Sequence, residues 1–278
     1  MSPEAYCQEK VRQSGSSFAH SFRFLTPLQA AAMTALYAFC REVDDVVDEC
    51  RDPAVAAMSL AWWRQEIEAL FLHQPSHPVT RALQPHINHF GLEAAHFLAL
   101  IDGMEMDLQQ PVRYADFAHL ELYCYRAASV VGLLTAAILG YQNSATLHYA
   151  RQMGIALQLI NIIRDVGEDA RRGRVYLPLE DLQRFDVRLD DILQAKSSEN
   201  FQALMQFQAQ RARDFYQQAL VALPKVDRKS QRVGLMMGAV YAALLKEISA
   251  EGFLVLQHKV RLPTWRKIVI AWWTWLSV

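Results

Sequence analysis

The chain has little net charge and few cysteines. It carries 28 basic and 29 acidic side chains, so its formal net charge is only −1, which gives no electrostatic reason to expect a nucleic-acid partner. Its four cysteines show no C-x-x-C spacing, and no basic and apolar leader opens the sequence. We therefore expect a reducing, cytoplasmic setting, in which Cys40, Cys50 and Cys124 serve as small core residues.

Strand-like patterns and nucleotide-binding loops are missing as well. No long segment alternates apolar and polar residues and no glycine-rich phosphate loop is present, which excludes the P-loop and Rossmann classes. The nine histidines form no H-E-x-x-H pattern, so none is assigned a catalytic role. With 278 residues, 52% of them hydrophobic, the chain can form one large globular domain or two small ones, and its patterns predict helices throughout.

Helix boundaries are clearly marked in the sequence. Thr26, Pro27 and Gln29 form a capping box with proline at the first helical position, and Asp52-Pro53 stops the helix that follows. That helix spans about 24 residues, or about 36 Å at 1.5 Å per residue, which suits one wall of a large helical bundle. Other helices are predicted over residues 3–13, 54–72, 79–109 with a break near Gly91, 116–141, 198–222 and 229–257.

What the sequence does contain is two acid-rich stretches. In the first, residues 40–49, a rotation of about 100° per residue places Asp44 and Asp48 on one helix face with Tyr37 and Arg41. An apolar stripe lies only about 40° away, so the carboxylates border the buried face of the helix. This placement predicts the wall of a cavity.

The second stretch repeats this design. Gln158, Asn161 and Asp165 share one stripe of a predicted helix that ends near Ala170, and Asp169 lies one turn beyond them. The acids of both stretches lie late in their helices, where the macrodipole disfavours a carboxylate by about 0.3–1 kcal/mol. We therefore expect a cation to compensate them.

The ligand chemistry of the two stretches favours magnesium. Hard divalent cations such as Mg²⁺ take carboxylate and amide oxygens and commonly bridge to substrate phosphates. No His or Cys accompanies the acids, which argues against zinc. For either stretch alone the alternative is a solvated, charged helix end. Two such stretches together favour a metal that holds a diphosphate.

Three further features each leave two interpretations open. Tyr123 lies in a strongly apolar predicted helix. It is either a buried core tyrosine, which usually needs only one hydrogen-bond partner, or a residue of the site. The arginines of residues 171–174 either neutralise helix-end carbonyls or contact phosphate oxygens. Asp102, Glu105 and Asp107 form another acidic patch, which we interpret as structural or as support for residues of the site.

Residues 264–278 are rich in tryptophan. Helical spacing predicts that one side carries four large apolar residues, with basic residues close by: Trp265, Ile268, Trp272 and Trp275, then Arg261, Arg266 and Lys267. The segment is too short to span a bilayer. Two interpretations stay open, namely packing against the body and an interfacial helix in peripheral contact with the inner face of a membrane.

Several motifs together resemble the squalene/phytoene synthase family of head-to-head prenyl transferases, and the match runs almost the whole length. They cover Ser14 to Phe18 with Phe22, Tyr37 to Asp48, Tyr123 to Gly132, Gln158 to Asp169, and Gly173 to Pro178. Within the family, the segments Trp62 to Glu66 and Asp102 to Leu108 and the tryptophan-rich tail are most similar to bacterial presqualene diphosphate synthases of hopanoid pathways.

The resemblance implies an all-α, single-domain isoprenoid-synthase bundle with a central cavity over residues 1–278. It also implies the condensation of two farnesyl diphosphates to presqualene diphosphate, with release of diphosphate and without a nicotinamide cofactor. Asp44, Asp48, Asn161, Asp165 and Asp169 would hold Mg²⁺. The expected partners are isoprenyl diphosphate substrates and downstream squalene-forming enzymes.

The resemblance assigns further roles by position. Tyr123 and the four aspartates of the metal site are the implied catalytic residues. The implied substrate-binding residues are Ser17, Phe18, Phe22, Arg41, Gln158, Arg164, Arg174 and Tyr241. Aromatic and apolar walls suit this chemistry because they exclude water that would quench a carbocation.

Two departures from the family pattern bear on substrate length. Ala127-Ala128-Ser129 replaces the usual Val-Ala-Gly, and Ile160 stands where a small polar residue is common. The alternatives are a complete squalene synthase that also reduces its intermediate with NADPH, and a phytoene synthase that uses geranylgeranyl diphosphate. A different class of hypothesis is a catalytically silent relative that assembles on membranes through its tail.

Overall fold

Side-chain caps and prolines begin most of the long helices. The computed structural model describes residues 1–14, 22, 24–50, 52–108 and 111–278. Within these ranges a π-helical turn, Tyr125–Ser129, separates α6 from α7, and the extended backbone forms only an isolated bridge between Arg113 and Val175. The α-helices are α1 (Pro3–Gln13), α2 (Pro27–Glu49), α3 (Pro53–Phe71), α4 (Pro78–Phe90), α5 (Ala94–Leu108), α6 (Phe117–Cys124), α7 (Val130–Leu139), α8 (Ala145–Arg171), α9 (Leu179–Arg184), α10 (Leu189–Leu193), α11 (Glu199–Ala222), α12 (Arg232–Ala250) and α13 (Thr264–Ser277).

The boundaries predicted at Thr26, Asp52 and Gly91 are confirmed, whereas the helix predicted over 229–257 is shorter, since α12 ends at Ala250. At the start of α2, the Gln29 backbone N–H donates to the Thr26 hydroxyl, and the Thr26 N–H donates to the Gln29 side chain, both at 3.3 Å. Asp52 caps α3 by accepting from the Ala54 N–H at 2.9 Å. Gly91 ends α4 in the left-handed region, with φ 60°, which glycine adopts without strain.

Apolar side chains form two large core clusters. The N-terminal cluster is built mainly by α1 to α5 and α7 and includes Phe39, Phe97 and Leu134. The C-terminal cluster is built by α8, α11, α12 and the segments around them, and includes Leu159 and Phe201. A smaller cluster joins α7 and α8 to α11 and α12, so α7 and α8 connect the two halves of one all-α body.

Two glycines let other backbone segments approach α8 closely. A Cβ atom on Gly154 would lie 2.5 Å from the Ser129 Cα, and one on Gly167 would lie 2.4 Å from the Val255 carbonyl oxygen. Both distances are shorter than a side chain tolerates, so only glycine fits. The first contact seats the π-turn against α8, and the second seats the segment after α12 against the acidic end of α8.

The cysteines differ in burial. Cys7 and Cys124 are buried, and Cys40 packs half-buried against the N-terminal cluster. Cys50 caps the C-terminal end of α2, where its thiol donates to the Asp52 carbonyl oxygen at 3.3 Å. The prediction that Cys50 is a core residue is therefore wrong, because α2 ends before its side chain reaches the interior.

Two helical stretches, Phe117–Leu139 and Arg232–Ala250, have the length and composition of membrane spans. Both supply buried residues to the core clusters. Length and composition do not distinguish a core helix from a span, and we assign no span to either stretch.

Candidate active site

The C-terminal ends of α2 and α8 meet at Arg174. Its Nη1 atom lies 3.1 Å from Asp48 Oδ1, and its Nη2 atom donates to the Val47 carbonyl oxygen at 3.3 Å. The Arg174 backbone N–H donates to the Asp169 carbonyl oxygen at 2.9 Å. Arg172 Nη1 also lies 3.4 Å from Asp48 Oδ1. The loop after α8 therefore joins the two acid-rich stretches through arginine.

On the α2 side, arginine also holds the other carboxylates. Arg41 Nη1 lies 2.5 Å from Asp44 Oδ2, and Arg41 pairs with Asp45 as well. Desolvation raises the pKa of Asp44 to about 6, against the opposing effect of Arg41 and with a further contribution from the negative charge of Asp48. The predicted phosphate-binding residue Arg41 thus neutralises acids of its own helix.

On the α8 side, two cations hold Asp165. Arg164 Nη2 lies 2.5 Å from Asp165 Oδ2, and Lys259 Nζ lies 2.9 Å from Asp165 Oδ1 and 2.6 Å from Glu168 Oε2. Desolvation raises the pKa of Asp165, but the two cations outweigh it and the pKa lies below its ordinary value. Desolvation, and then the charge of Asp165, raise the pKa of Asp169 to about 7.

A cluster of buried tyrosines surrounds Asp107. The Tyr123 hydroxyl donates to Asp107 Oδ2 at 2.9 Å, and the Tyr176 hydroxyl donates to Asp107 Oδ1 at 2.8 Å. The ring centroids of Tyr123 and Tyr176 lie 5.2 Å apart, and Tyr114 packs 5.6 Å from Tyr123. Tyr123 therefore has a specific carboxylate partner, and Asp107 supports a predicted site residue as the sequence suggested.

Desolvation governs the protonation of this cluster. It raises the pKa of Asp107 to about 6, although hydrogen bonds from Tyr176 and Tyr123 lower it in part. It also raises the pKa of Tyr123 well above the ordinary value, and the charge of Asp107 adds to that rise. At neutral pH the phenol is therefore protonated and the carboxylate is mostly ionised.

The remaining acidic patch is structural. Arg64 Nη1 lies 2.5 Å from Asp102 Oδ1, and Arg64 Nη2 lies 2.6 Å from Glu105 Oε2. The motif segments 62–66 and 102–108 thus contact each other through ion pairs between α3 and α5. Asp107 alone of the three acids reaches Tyr123.

The unusual Ser129 also has a structural account. It is fully buried in the π-turn, and its hydroxyl donates to the Arg151 carbonyl oxygen on α8 at 2.7 Å. Since this bond lies where Gly154 brings the two backbones together, Ser129 fastens the turn that follows Tyr123. π-turns within α-helices are frequent at functional sites.

A narrow pocket lies beside Arg174. Its polar wall is formed by Asp169, Arg174 and Tyr176, and its apolar wall by Ile162, Val166, Val175 and Leu177. Its interior is too small to hold a water molecule, so neither a headgroup nor a prenyl chain fits there unless the lining side chains move apart. The pocket thus lies where charged side chains of the site meet apolar side chains of the core.

The donor atoms of the site suit a hard cation. Asn161 Oδ1 is buried and accepts no hydrogen bond, and Asp44 and Asp169 carry raised pKa values that a cation would lower. Nonetheless, no three His, Cys, Asp or Glu side chains of the described ranges are gathered closely enough to hold one metal ion. Arginine and lysine pair with Asp44, Asp48 and Asp165 instead. The predicted Mg²⁺ ligands fit by chemistry and stay a prediction.

Comparison with known proteins identifies the family of this chain. The family model for squalene/phytoene synthase matches residues 11–266. The chain belongs to this family. Like the other members of the squalene/phytoene synthase family it is a head-to-head prenyltransferase, and the family resemblance noted in the sequence is confirmed.

Similar members of the family carry different names. A phytoene synthase of Arthrospira platensis is 36% identical over 281 residues, covering 94% of this chain and 90% of that protein. A presqualene diphosphate synthase of Rhodopseudomonas palustris is 35% identical over 256 residues, covering 92% and 91%. Sequence similarity therefore establishes the reaction class and leaves the substrate length open.

Solved structures of the family share the fold. A dehydrosqualene synthase in complex with a ligand superimposes with a TM-score of 0.88 at 27% identity, covering 98% of this chain and 95% of that one. A squalene synthase from Alicyclobacillus acidocaldarius gives a TM-score of 0.81 at 26% identity, covering 90% and 94%. The predicted all-α, single-domain isoprenoid-synthase fold is confirmed.

The other predicted substrate residues of this synthase lie at several depths. Phe22 is buried in the N-terminal cluster, edge-on to Tyr37 at 6.5 Å. Gln158 Oε1 accepts from the Asn161 amide at 3.4 Å. Tyr241 is half-buried. Desolvation lowers the pKa of Arg164, but the hydrogen bond and charge of Asp165 raise it above its ordinary value, and Tyr241 adds to that rise. Ser17 and Phe18 fall outside the described residues.

Sequence reasoning missed Lys259 and gave Tyr176 no role. Nothing around Lys259 forms a motif. Its contact with Glu168 joins residues 91 positions apart, so local spacing could not predict it. Tyr176 belongs to the motif that runs from Gly173 to Pro178, so a signal was present there. Its hydrogen bond to Asp107 spans 69 positions and could not be read from spacing.

Proposed function

We propose that this synthase condenses two farnesyl diphosphates to presqualene diphosphate and releases one diphosphate. The observation that supports this most is Arg174, which joins two carboxylate-bearing helix ends beside a pocket with one charged and one apolar wall. A diphosphate on an apolar chain needs that combination of surfaces.

Five cations are available for the diphosphate groups. Their present partners are acids of the site, at distances of 2.5 to 3.4 Å for the pairs of Arg41 with Asp44, Arg164 with Asp165, Lys259 with Asp165, and Arg172 and Arg174 with Asp48. Phosphate oxygens form strong charge-assisted hydrogen bonds with guanidinium groups. A bound diphosphate would therefore exchange with carboxylates as the partner of these side chains.

Asp44, Asp48 and Asp165, released in this exchange, would be free for Mg²⁺. Asp169 and the amide oxygen of Asn161 would complete the set of ligands. When bound, the metal supplies Lewis-acid neutralisation of the departing diphosphate. The residues themselves position the headgroup at the junction of α2 and α8, and the apolar wall keeps water from the allylic carbon that becomes cationic.

Tyr123 and Asp107 handle the proton in this proposal. Closing the cyclopropane ring requires a carbon to lose a proton. The Tyr123 oxygen takes it while the phenolic proton moves along the existing 2.9 Å hydrogen bond to Asp107 Oδ2, so the phenol is restored and the carboxylate is protonated. The competing acceptor is the released diphosphate. The aromatic faces of Tyr114, Tyr123 and Tyr176 would also stabilise positive charge nearby.

The names of two solved structures support a C15 substrate. The two solved structures most useful for comparison are named for C30 chemistry, dehydrosqualene and squalene synthesis. The phytoene synthases among the similar sequences support the second candidate, condensation of two C20 geranylgeranyl diphosphates.

Product analysis by mass spectrometry tests the proposal. The purified protein is incubated with Mg²⁺ and either farnesyl or geranylgeranyl diphosphate, with and without NADPH. We expect presqualene diphosphate from the C15 substrate in both conditions, with one inorganic diphosphate released per product. Squalene formed only with NADPH, or a C40 product at the higher rate, would replace this proposal by one of the alternatives.

A further inference from the structure

Helix α13 turns its most apolar side to solvent. None of its residues is buried. Six large apolar side chains are between 44% and 68% exposed: Trp265, Ile268, Val269, Trp272, Trp273 and Leu276. At about 100° per residue these six fall within one continuous arc of about 140°. We call this arc the tryptophan face.

Contacts of α13 residues outside this arc fix its orientation. Ile270 packs against the C-terminal cluster. Arg266 Nη1 lies 2.6 Å from Glu247 Oε2, and the Arg232 guanidinium lies 4.8 Å from the centre of the Trp275 ring. These contacts hold α13 antiparallel to α12. The helix is therefore packed on the body of the protein, and the tryptophan face is the side that this packing leaves exposed.

Trp275 borders the tryptophan face, as the helical spacing predicts, but its ring is covered by the body of the protein. Its ring packs 4.8 Å from that of Phe24 and beneath Arg232. The cation–π contact with Arg232 draws Trp275 toward the body, while Trp265, Ile268 and Trp272 stay exposed. Packing against the body is therefore confirmed for one side of the helix, and the interfacial interpretation stays a prediction for the other side.

Positive charge lies at both ends of the tryptophan face. From Gly252 to Val278 the sequence contains no Asp or Glu, and exposed Arg261 precedes the helix. At the other end, exposed Arg228 and Lys229 lead into Arg232, which contacts Trp275. Their neighbour Asp227 is buried and accepts from the Thr146 hydroxyl at 2.6 Å, so its charge is kept from the surface.

We propose that the tryptophan face docks in the surface of a lipid bilayer that contains anionic headgroups. Tryptophan is suited to this boundary because its ring is apolar and its N–H is polar, and basic residues add attraction to anionic lipid. With 14 residues, α13 is about 21 Å long, too short for a hydrocarbon core of about 30 Å. The helix therefore lies in the interface.

A second copy of this chain fits the face less well. The projected strip of a helix this long is roughly 200 Å² at a diameter of about 10 Å. Each partner of a standard protein–protein interface buries about 800 Å². A bilayer sets no such requirement, since a single amphipathic helix suffices for reversible binding.

Vesicle binding tests the proposal without measuring turnover, so its failure leaves the proposed function untouched. The full chain is sedimented with vesicles of phosphatidylcholine and 30% phosphatidylglycerol, and with phosphatidylcholine alone. We expect binding to anionic vesicles that weakens at least tenfold when Trp265→Ser, Trp272→Ser and Trp273→Ser are combined. A blue shift of tryptophan emission on binding is also expected, because four of the six tryptophans lie in α13.

A matched variant controls for lost surface hydrophobicity. Met58→Ser, Leu72→Ser and Val221→Ser together remove three side chains that are 65% to 86% exposed elsewhere, and this variant should bind vesicles like the wild type. Equal binding by the tryptophan variant, or equal binding to neutral vesicles, would overturn the proposal. So would sedimentation velocity showing a wild-type dimer, a monomeric tryptophan variant and no vesicle binding, because the face would then be covered by a second copy.

Discussion

Asp107 accepts hydrogen bonds from two buried tyrosines, Tyr123 and Tyr176. Hydrogen bonds to a charged group contribute about 1.5–3 kcal/mol each. If the carboxylate receives the proton, Asp107→Asn should lower kcat about 10- to 100-fold. The charge of Asp107 also acts on Arg174, so KM for the diphosphate substrate should change as well, but less than kcat. Steady-state kinetics on the C15 substrate measure this split.

Tyr114 supplies the control for that substitution. Its hydroxyl is buried without a hydrogen-bond partner, although its ring packs in the same cluster. Tyr114→Phe should therefore keep kcat within about twofold. A loss in Asp107→Asn no larger than that in Tyr114→Phe would show that Asp107 takes no part in proton transfer and that the released diphosphate is the acceptor.

The raised pKa values of Asp44 and Asp169 set a pH dependence. Without metal their folded-state pKa values are about 6 and about 7, above the ordinary value of about 3.9. The native protein then holds protons that the unfolded chain has already lost, so these two groups make stability fall as pH rises from about 4 to 7. Mg²⁺ binds ionised carboxylates and displaces those protons.

Mg²⁺ should therefore raise Tm more at pH 8 than at pH 5.5. Thermal unfolding with and without 5 mM Mg²⁺ at constant ionic strength measures the difference, with NaCl as the ionic control. Titration calorimetry in two buffers of different ionisation enthalpy should also detect proton release near pH 6. An equal rise in Tm at both pH values would argue against Asp44 and Asp169 as metal ligands.

At the scale of single elements, Gly167 determines where Lys259 lies. A Cβ at this position would meet the carbonyl oxygens of Val255 and Leu256 at 2.4 and 2.8 Å. Alanine favours a helix interior by about 1 kcal/mol over glycine, but overpacking typically costs about 1–3 kcal/mol. Gly167→Ala should therefore lower Tm by a few degrees and displace the segment that carries Lys259.

Lys259→Met separates the two effects of that substitution. It removes the ion pairs with Asp165 and Glu168 without changing α8. If Gly167 acts by placing Lys259, both variants should raise KM for the diphosphate substrate by similar factors, while only Gly167→Ala loses stability through overpacking. A Gly167→Ala protein with wild-type KM would show that the segment after α12 has no part in binding.

The helices themselves were predictable because their signals are local. The capping box at Thr26 and the stop at Asp52-Pro53 act within a few residues, so α2 was predicted within one or two positions of its observed length. The stripes that carry Asp44 and Asp165 follow from helix geometry alone. Lys259 and Tyr176 were not assigned because their contacts join distant segments. Position in the fold, and not spacing, gives them their partners.

The arginines show the same limit of local reasoning. Sequence considerations offered helix-end carbonyls or phosphate as partners for residues 171–174. In the structure Arg172 and Arg174 pair with Asp48 at the end of α2. That partner is 124 to 126 positions away. Only the fold could therefore reveal that the loop after the second acid-rich stretch neutralises an acid of the first.

At the scale of the whole molecule, the two acid-rich stretches belong to different halves of the core. Asp44 and Asp48 lie on α2, whose apolar face is buried in the N-terminal cluster, and Asp165 and Asp169 lie on α8 beside the C-terminal cluster. The described contacts between the two acid-bearing ends run through Arg172 and Arg174. A ligand held from both sides would therefore tie the halves together.

Hydrogen exchange can measure that coupling directly. In the presence of Mg²⁺ and inorganic diphosphate, we expect amide exchange to slow at least tenfold both near residues 44–50 and near 169–176, because opening either end would now release the ligand. The amides of α4, which lies in the N-terminal cluster and away from the acids, serve as the internal reference and should be unchanged. Protection confined to one of the two ends would mean that diphosphate binds a single helix, and the shared site between α2 and α8 would be wrong.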